Sequence, residues 1–144
     1  MIACCDIAIG VPEAKFGLTE SKLGLLPAVI SPYVVRKIGA SAARELFLTG
    51  ERFGAARAAA IGLVHRVVKL DELDAAVDAR VRELLRAAAG AVAAAKGLVR
   101  SVHGHPVESV RELVCEVIAE RRASDEGQEG LSAFLEKRNP GWAG

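Results

Sequence analysis

FGLTESKLGLLPAVISPYVVRKIG, residues 16–39, decides how the rest of this chain is read. It sets one acid, Glu20, beside a proline-broken apolar wall of Leu23, Leu25, Leu26, Pro27, Val29 and Ile30, with turns marked by Gly17 and Gly24. A carboxylate at the edge of such a wall is expected to be partly desolvated, which suits it to proton transfer near neutral pH. The second half of the stretch reads as a helix start. Ser31 is the expected N-cap and Pro32 the first helical residue, where its missing N–H has no intrahelical partner to lose. That helix should run to Ile38 and stop at Gly39, and another should follow from Ser41 to just before Gly50.

Upstream, MIACCDIAIGVP holds apolar stretches ended by Gly10 and Pro12, consistent with a buried strand over 6–11. A chain opening on core-like sequence, with no polar lead-in, is expected to begin inside a domain. Downstream, alanine-rich 54–61 reads as a helix capped by Gly62, and LVHRVVK (63–69) as a short strand. From Asp71 onward the pattern is helical. Leu73, Val77, Val81, Leu84, Leu85 and Ala88 follow three-four spacing, as do Val92, Ala95, Val99 and Val102, and then Val110, Leu113, Val114, Val117 and Ile118. Each stripe is expected to be buried. Pro106 should open a helix after the HGHP break, and a last helix should start near Asp125, with Asp125 as cap and Gln128 reaching back. The expectation is an α/β fold, mostly helical, with an α/β portion over residues 1–69 and a helical portion over 70–144.

The 144 residues are 51% apolar and 26% charged with a net charge of +1, the profile of one soluble globular unit. Acidic and basic residues are interspersed and the aromatics are few, which argues against a nucleic-acid surface. Cys4, Cys5 and Cys115 lack CxxC spacing, and an odd count in apolar sequence points to reduced core thiols in a cytoplasmic protein. Asp6 interrupts the apolar start and no basic segment precedes it, against a signal peptide. The apolar run 24–35 is short and carries Pro27 and Pro32, so no membrane span is expected. His103 and His105 form an HxH on a Gly/Pro turn without a nearby carboxylate or Cys at ligand spacing, and no metal is expected. His65 is read as a half-buried packing residue of its strand.

Phe16-Gly17-Leu18-Thr19-Glu20, followed by Leu23-Gly24 and Leu26-Pro27, together with the tail EGQEGLSAFLEKRNPGW (126–142), resembles the enoyl-CoA hydratase/isomerase (crotonase) family. The likeness covers essentially the whole chain but only the second half of the family's domain. It implies the C-terminal part of the crotonase ββα spiral over residues 1–69. The helical region through which the family forms trimers and hexamers would then occupy 70–144. It also implies an acyl-CoA thioester as substrate, with CoA part of that substrate and no separate cofactor.

By this resemblance Glu20 exchanges a proton with the α-carbon of the bound thioester. Leu26 and Pro27 belong to the same substrate-binding loop. Lys137 would reach a CoA phosphate, Phe134 would pack at the acyl or pantetheine wall, and Ile118 would close the acyl pocket across a subunit boundary. Without the resemblance, Lys137 reads as a complement to a helix dipole and Ile118 as core. PAVISP (27–32) and the tail resemble the branch of the family that hydrates methylglutaconyl-CoA. The family's second glutamate and both oxyanion N–H donors match positions before Met1, and losing one such donor costs about a hundred- to a thousandfold in rate. The 144 residues alone are therefore not expected to hydrate an enoyl thioester. An isomerase using one glutamate and a non-catalytic assembly module are the alternatives.

Overall fold

The computed structural model describes residues 2–143 and divides the chain into two compact units, Met1–Asp78 and Ala79–Gly144. In the first, β1 (Ile9–Gly10) pairs in parallel with a later strand. β2 (Lys15–Gly17) is followed by a 3-10 turn, Glu20–Leu23, and then by α1 (Ser31–Thr49). β3 (Arg52–Gly54), α2 (Ala55–Ala60) and β4 (Arg66–Val67) complete it, and α3 (Leu73–Leu85) carries the chain across the division. The β1–β4 register sets Ile9 against Arg66 and Gly10 against Val67. β2 and β3 run antiparallel with Phe16 opposite Phe53, and their rings stack at 5.6 Å between centroids. Ala8, Leu46, Phe53, Ala58, Leu63 and Val64 form the buried core under these pairs.

The expected strands are shorter than the apolar runs that announced them. His65 shows why at one end. Its N–H donates to the Ala8 carbonyl at 2.8 Å, while the Ala8 N–H donates to His65 Nδ1 at 3.0 Å, so a side chain takes over one rung of the ladder. His65 is therefore an exposed ladder partner and not the half-buried packing residue expected.

α1 is one element from Ser31 to Thr49, broken internally at Gly39, which leaves helical geometry at φ 77°, ψ 162°. Only glycine takes that conformation without steric cost, so the first helical stretch stops at Gly39 as expected and a second follows it to Thr49. Ser31 is not the cap: Ile30 holds that position, and the Ser31 hydroxyl donates backwards to the Ala28 carbonyl at 2.8 Å.

In the second unit α4 (Ala89–Val102), α5 (Val107–Ala123) and α6 (Asp125–Leu135) pack on one another. Ser124, between α5 and α6, is the cap expected at Asp125. Its Oγ accepts from the Gly127 N–H at 3.1 Å and donates to the Arg121 carbonyl at 2.7 Å. Gln128 reaches the Arg122 carbonyl at 2.7 Å. Glu126 ties α4 to this corner by accepting from the Gly90 N–H at 3.0 Å and from Arg121 at 2.6 Å. Those donors hold its carboxyl below the usual range, the Gly90 N–H contributing most.

The apolar stripes do not end up buried. No residue of α3, α4 or α5 is buried, and Val77, Val81, Leu84, Leu85, Val99 and Ile118 are exposed. α4 and α5 are covered only by each other and by α6, so stripes this wide have more apolar surface than these neighbours can take. All three cysteines are exposed as well and not the core thiols expected, with Cys4 closing a 3-10 turn (Ile2–Cys4). No helix among the described residues is long and apolar enough to cross a membrane.

Candidate active site

Glu20 is positioned by a sharp change of chain direction. β2 delivers Phe16 and Gly17, and one tight turn later Gly24 takes the left-handed conformation at φ 72°. The Leu25 N–H donates to the Glu20 carbonyl at 3.0 Å and closes the turn. The Glu20 side chain is half-buried, and its Oε2 is buried without a hydrogen-bonding partner. The next residue repeats this: Ser21 Oγ is also buried and unpartnered. Buried polar atoms are nearly always paired, so two orphaned oxygens in adjacent residues mark an unusual place.

Beside that turn lies a groove of about 470 Å³ lined by Ser21, Leu25, Leu26, Pro27, Ser31, Phe47 and Leu48. Pro27 is buried at its base, while Leu26 is 71% exposed at its rim. The structure thus brings Leu26 and Pro27 together in one wall, next in sequence to the turn that carries Glu20. Phe47 and Leu48 come from the far end of α1 and were not among the expected site residues. An arrangement of this kind can hold an apolar chain against the leucines, next to the turn that carries Glu20.

The remaining candidates lie in the second unit. Ile118, on α5, lines a largely apolar cavity of about 410 Å³ with Ala88, Ala91, Leu131 and Trp142, beside the Arg121–Glu126 ion pair. It is 65% exposed, which overturns the core role its stripe suggested. Phe134 is 80% exposed on α6. Lys137 follows the helix end in a left-handed conformation, φ 56°. Its N–H donates to the Phe134 carbonyl at 3.2 Å and the Arg138 N–H to the Ala133 carbonyl at 3.0 Å, the paired bonds of a Schellman turn.

Sequence reasoning missed the clasp that follows. Arg138 grips Glu129 with two nitrogens at 2.7 and 2.9 Å and Glu136 at 2.6 Å, and the Gly141 N–H donates to Glu129 at 2.9 Å. Hydrogen bonds from Arg138, then from Gly141, draw the Glu129 carboxyl down to about 2. Trp142 is thereby folded over Gly130. Among the described residues no group of three or more His, Cys, Asp or Glu could hold a metal ion, and His103 and His105 stand exposed on their turn.

A crotonase-type α/β unit followed by helices is the class this arrangement defines, and comparison with known proteins bears that out. The family profile "Enoyl-CoA hydratase/isomerase" matches residues 1–144. A crystal structure of an enoyl-CoA hydratase from Shewanella pealeana superposes with a TM-score of 0.90 at 46% identity, covering 98% of this chain and 53% of that one. An enoyl-CoA hydratase/isomerase from Marinobacter aquaeolei gives a TM-score of 0.92 at 36% identity, with 99% and 55% covered. Carnitinyl-CoA dehydratase of Escherichia coli K12 is 34% identical over 150 residues, 99% of this chain and 54% of the relative. The chain belongs to the enoyl-CoA hydratase/isomerase family and has the crotonase fold. It spans about half the length of these relatives.

Proposed function

We propose that this chain contributes the Glu20 side of an enoyl-CoA hydratase site, adding water across the double bond of an α,β-unsaturated acyl-CoA thioester. In that reaction the water oxygen bonds to the β-carbon and a proton is delivered to the α-carbon, with the thioester oxygen carrying negative charge in between. Glu20 is the proton donor to the α-carbon, and Leu26 and Pro27 flank the acyl chain. Phe134 and Lys137 serve the pantetheine and phosphate end of CoA, and Ile118 closes the acyl pocket across a subunit boundary. CoA enters as part of the substrate and no separate cofactor takes part. The observation that carries the reading is the buried, unpartnered Oε2 of Glu20 in the turn beside an apolar groove.

On this reading the second carboxylate and the oxyanion donors come from outside these 144 residues. An acyl group of the methylglutaconyl type is favoured by PAVISP and the tail motif. Exposed Val81, Leu85, Val99 and Ile118 favour self-association through the helices, as a trimer or a multiple of it, in a cytoplasmic protein. An isomerase of the same family needs only one carboxylate, which Glu20 also supplies.

The test is to assay hydration of crotonyl-CoA and 3-methylglutaconyl-CoA by this chain alone and by the chain co-produced with the upstream half of the Shewanella pealeana hydratase. Turnover appearing only with the added half supports the proposal. Robust turnover by the isolated chain would show that the catalytic groups have been misplaced. Sedimentation of the same samples reads the assembly state, and a stable monomer at micromolar concentration would count against the helical contact.

A further inference from the structure

We infer that α3 is a docking face for a second copy of this chain, the two helices packing antiparallel about a twofold axis with Asp78 of each facing Arg82 of the other. No residue of α3 is buried, and the helix packs closely on no other element. From Val77 to Leu85 every residue is exposed, Val77, Val81, Leu84 and Leu85 among them. These four recur at three- and four-residue steps, so they share one side of the helix. A free-standing helix of 13 residues is marginal in water, because its hydrogen bonds barely offset the cost of nucleation. α3 therefore calls for a partner on that stripe. The inference does not depend on the hydratase reading.

The charges say which partner. Asp71, Glu72, Asp74 and Asp78 crowd the N-terminal half, while Arg80, Arg82 and Arg86 carry the C-terminal half, with Glu83 the one acid among them. That order complements the dipole of a single helix, and it also makes the helix complementary to its own reverse. A parallel copy would set acid against acid. An antiparallel copy sets each acidic half against a basic one. Asp78 and Arg82, four residues apart, lie on one flank of the stripe. A twofold axis at the level of Arg80 brings that flank against the same flank of the copy and opposes Asp78 to Arg82 twice over. Among the described residues neither side chain makes an ion pair, so both are available to the copy. Arg80, on the other flank, meets its own copy near the axis, one repulsion against two attractions. A contact confined to one short helix is at the small end of specific interfaces, which makes the pairing concentration-dependent. It leaves Val99 on α4 and Ile118 on α5 to the threefold contact proposed above.

Sedimentation velocity over a concentration series reads the assembly of the 144-residue chain, of Asp78→Arg and of Arg82→Asp. Circular dichroism confirms that each is folded. Either substitution turns both attractive pairs into like-charge ones, which should weaken the twofold association about tenfold. Where the wild-type chain is assembled, the mass of either variant should fall towards half. An equimolar mixture of the two variants re-creates both opposite-charge pairs in every mixed dimer and should recover the wild-type mass. A wild-type chain that does not associate, variants as assembled as wild type, or a mixture no heavier than its components overturns the inference. So does loss of the twofold association when the upstream half of the Shewanella pealeana hydratase is co-produced, since another chain would then cover the stripe.

Discussion

Two glycine-to-alanine substitutions in the second unit should move stability in opposite directions. Gly97 lies inside α4, where an added Cβ meets nothing within 4 Å. Gly97→Ala should follow helix propensity alone and stabilise by about 1 kcal/mol. Gly127 lies in the first turn of α6, where the same methyl would overlap the Arg121 carbonyl oxygen and stand 3.1 Å from the Arg122 oxygen. The Arg121 carbonyl cannot easily yield, because it accepts from both the Ser124 hydroxyl and the Ser124 N–H. Overpacking of this kind costs about 1–3 kcal/mol. Relief by shifting Gly127 would pull its N–H off Ser124 Oγ and lose a cap worth about 1 kcal/mol. Less a propensity gain of about 1 kcal/mol at most, Gly127→Ala should destabilise by up to about 2 kcal/mol. Urea unfolding followed by fluorescence reads this directly, since Trp142 is the sole tryptophan and lies in the same unit. A Gly127→Ala protein as stable as wild type, or a Gly97→Ala protein less stable, would refute the reasoning.

In the complemented enzyme, Glu20→Gln keeps size and hydrogen bonding while removing proton transfer. Turnover should fall by about a hundred- to ten-thousandfold with little change in thioester binding, and undiminished turnover would exclude Glu20. Leu46 is fully buried in the first unit, so Leu46→Ala should cost about 2–5 kcal/mol in urea unfolding followed by circular dichroism. A cost below about 1 kcal/mol would show that this core is not close-packed. The Glu129 carboxyl, drawn down to about 2, lies below its unfolded value, so the clasp contributes fully above that value and is lost as pH falls towards 2. Trp142 emission should hold its native maximum down to about pH 3 and shift below, whereas a midpoint near the ordinary carboxylate value, about 4.3, would contradict the geometry. Glu129→Gln should shift the emission already at neutral pH.

How far the sequence led depended on which residues carried the signal. Gly39, Gly62 and Gly104 marked changes of direction because their positive φ angles suit glycine, and a glycine in sequence is visible without a structure. The loop bearing Glu20 was legible through its motif, residue types at fixed spacing over a short distance. The cap of α6 fell one residue from its expected place because Ser124 and Asp125 are both good caps, and only the corner between α5 and α6 chooses between them. The helical stripes told which faces are apolar but not what covers them, since periodicity is a property of one helix and burial a property of its surroundings. Arg138 and Glu129 meet because the chain reverses at Lys137, and nothing in their spacing says so. The same holds for Phe47 and Leu48, which reach the groove from beyond the Gly39 kink.

Lys137 occupies a backbone conformation that an L-amino acid enters at a cost of about 1–2 kcal/mol and glycine enters freely. Redesign for thermal tolerance would choose glycine there, and the Schellman turn would accept it. That gain would come with the loss of a mobile ammonium group whose root is held by two neighbouring backbone hydrogen bonds. Such a root restricts where the amine can travel. It raises the effective concentration of positive charge over one small region beyond the end of α6. The stability forgone at this position thus measures what the cation must contribute to be kept. A stabilised Lys137→Gly protein that had lost affinity for polyanions would separate those two quantities in one molecule.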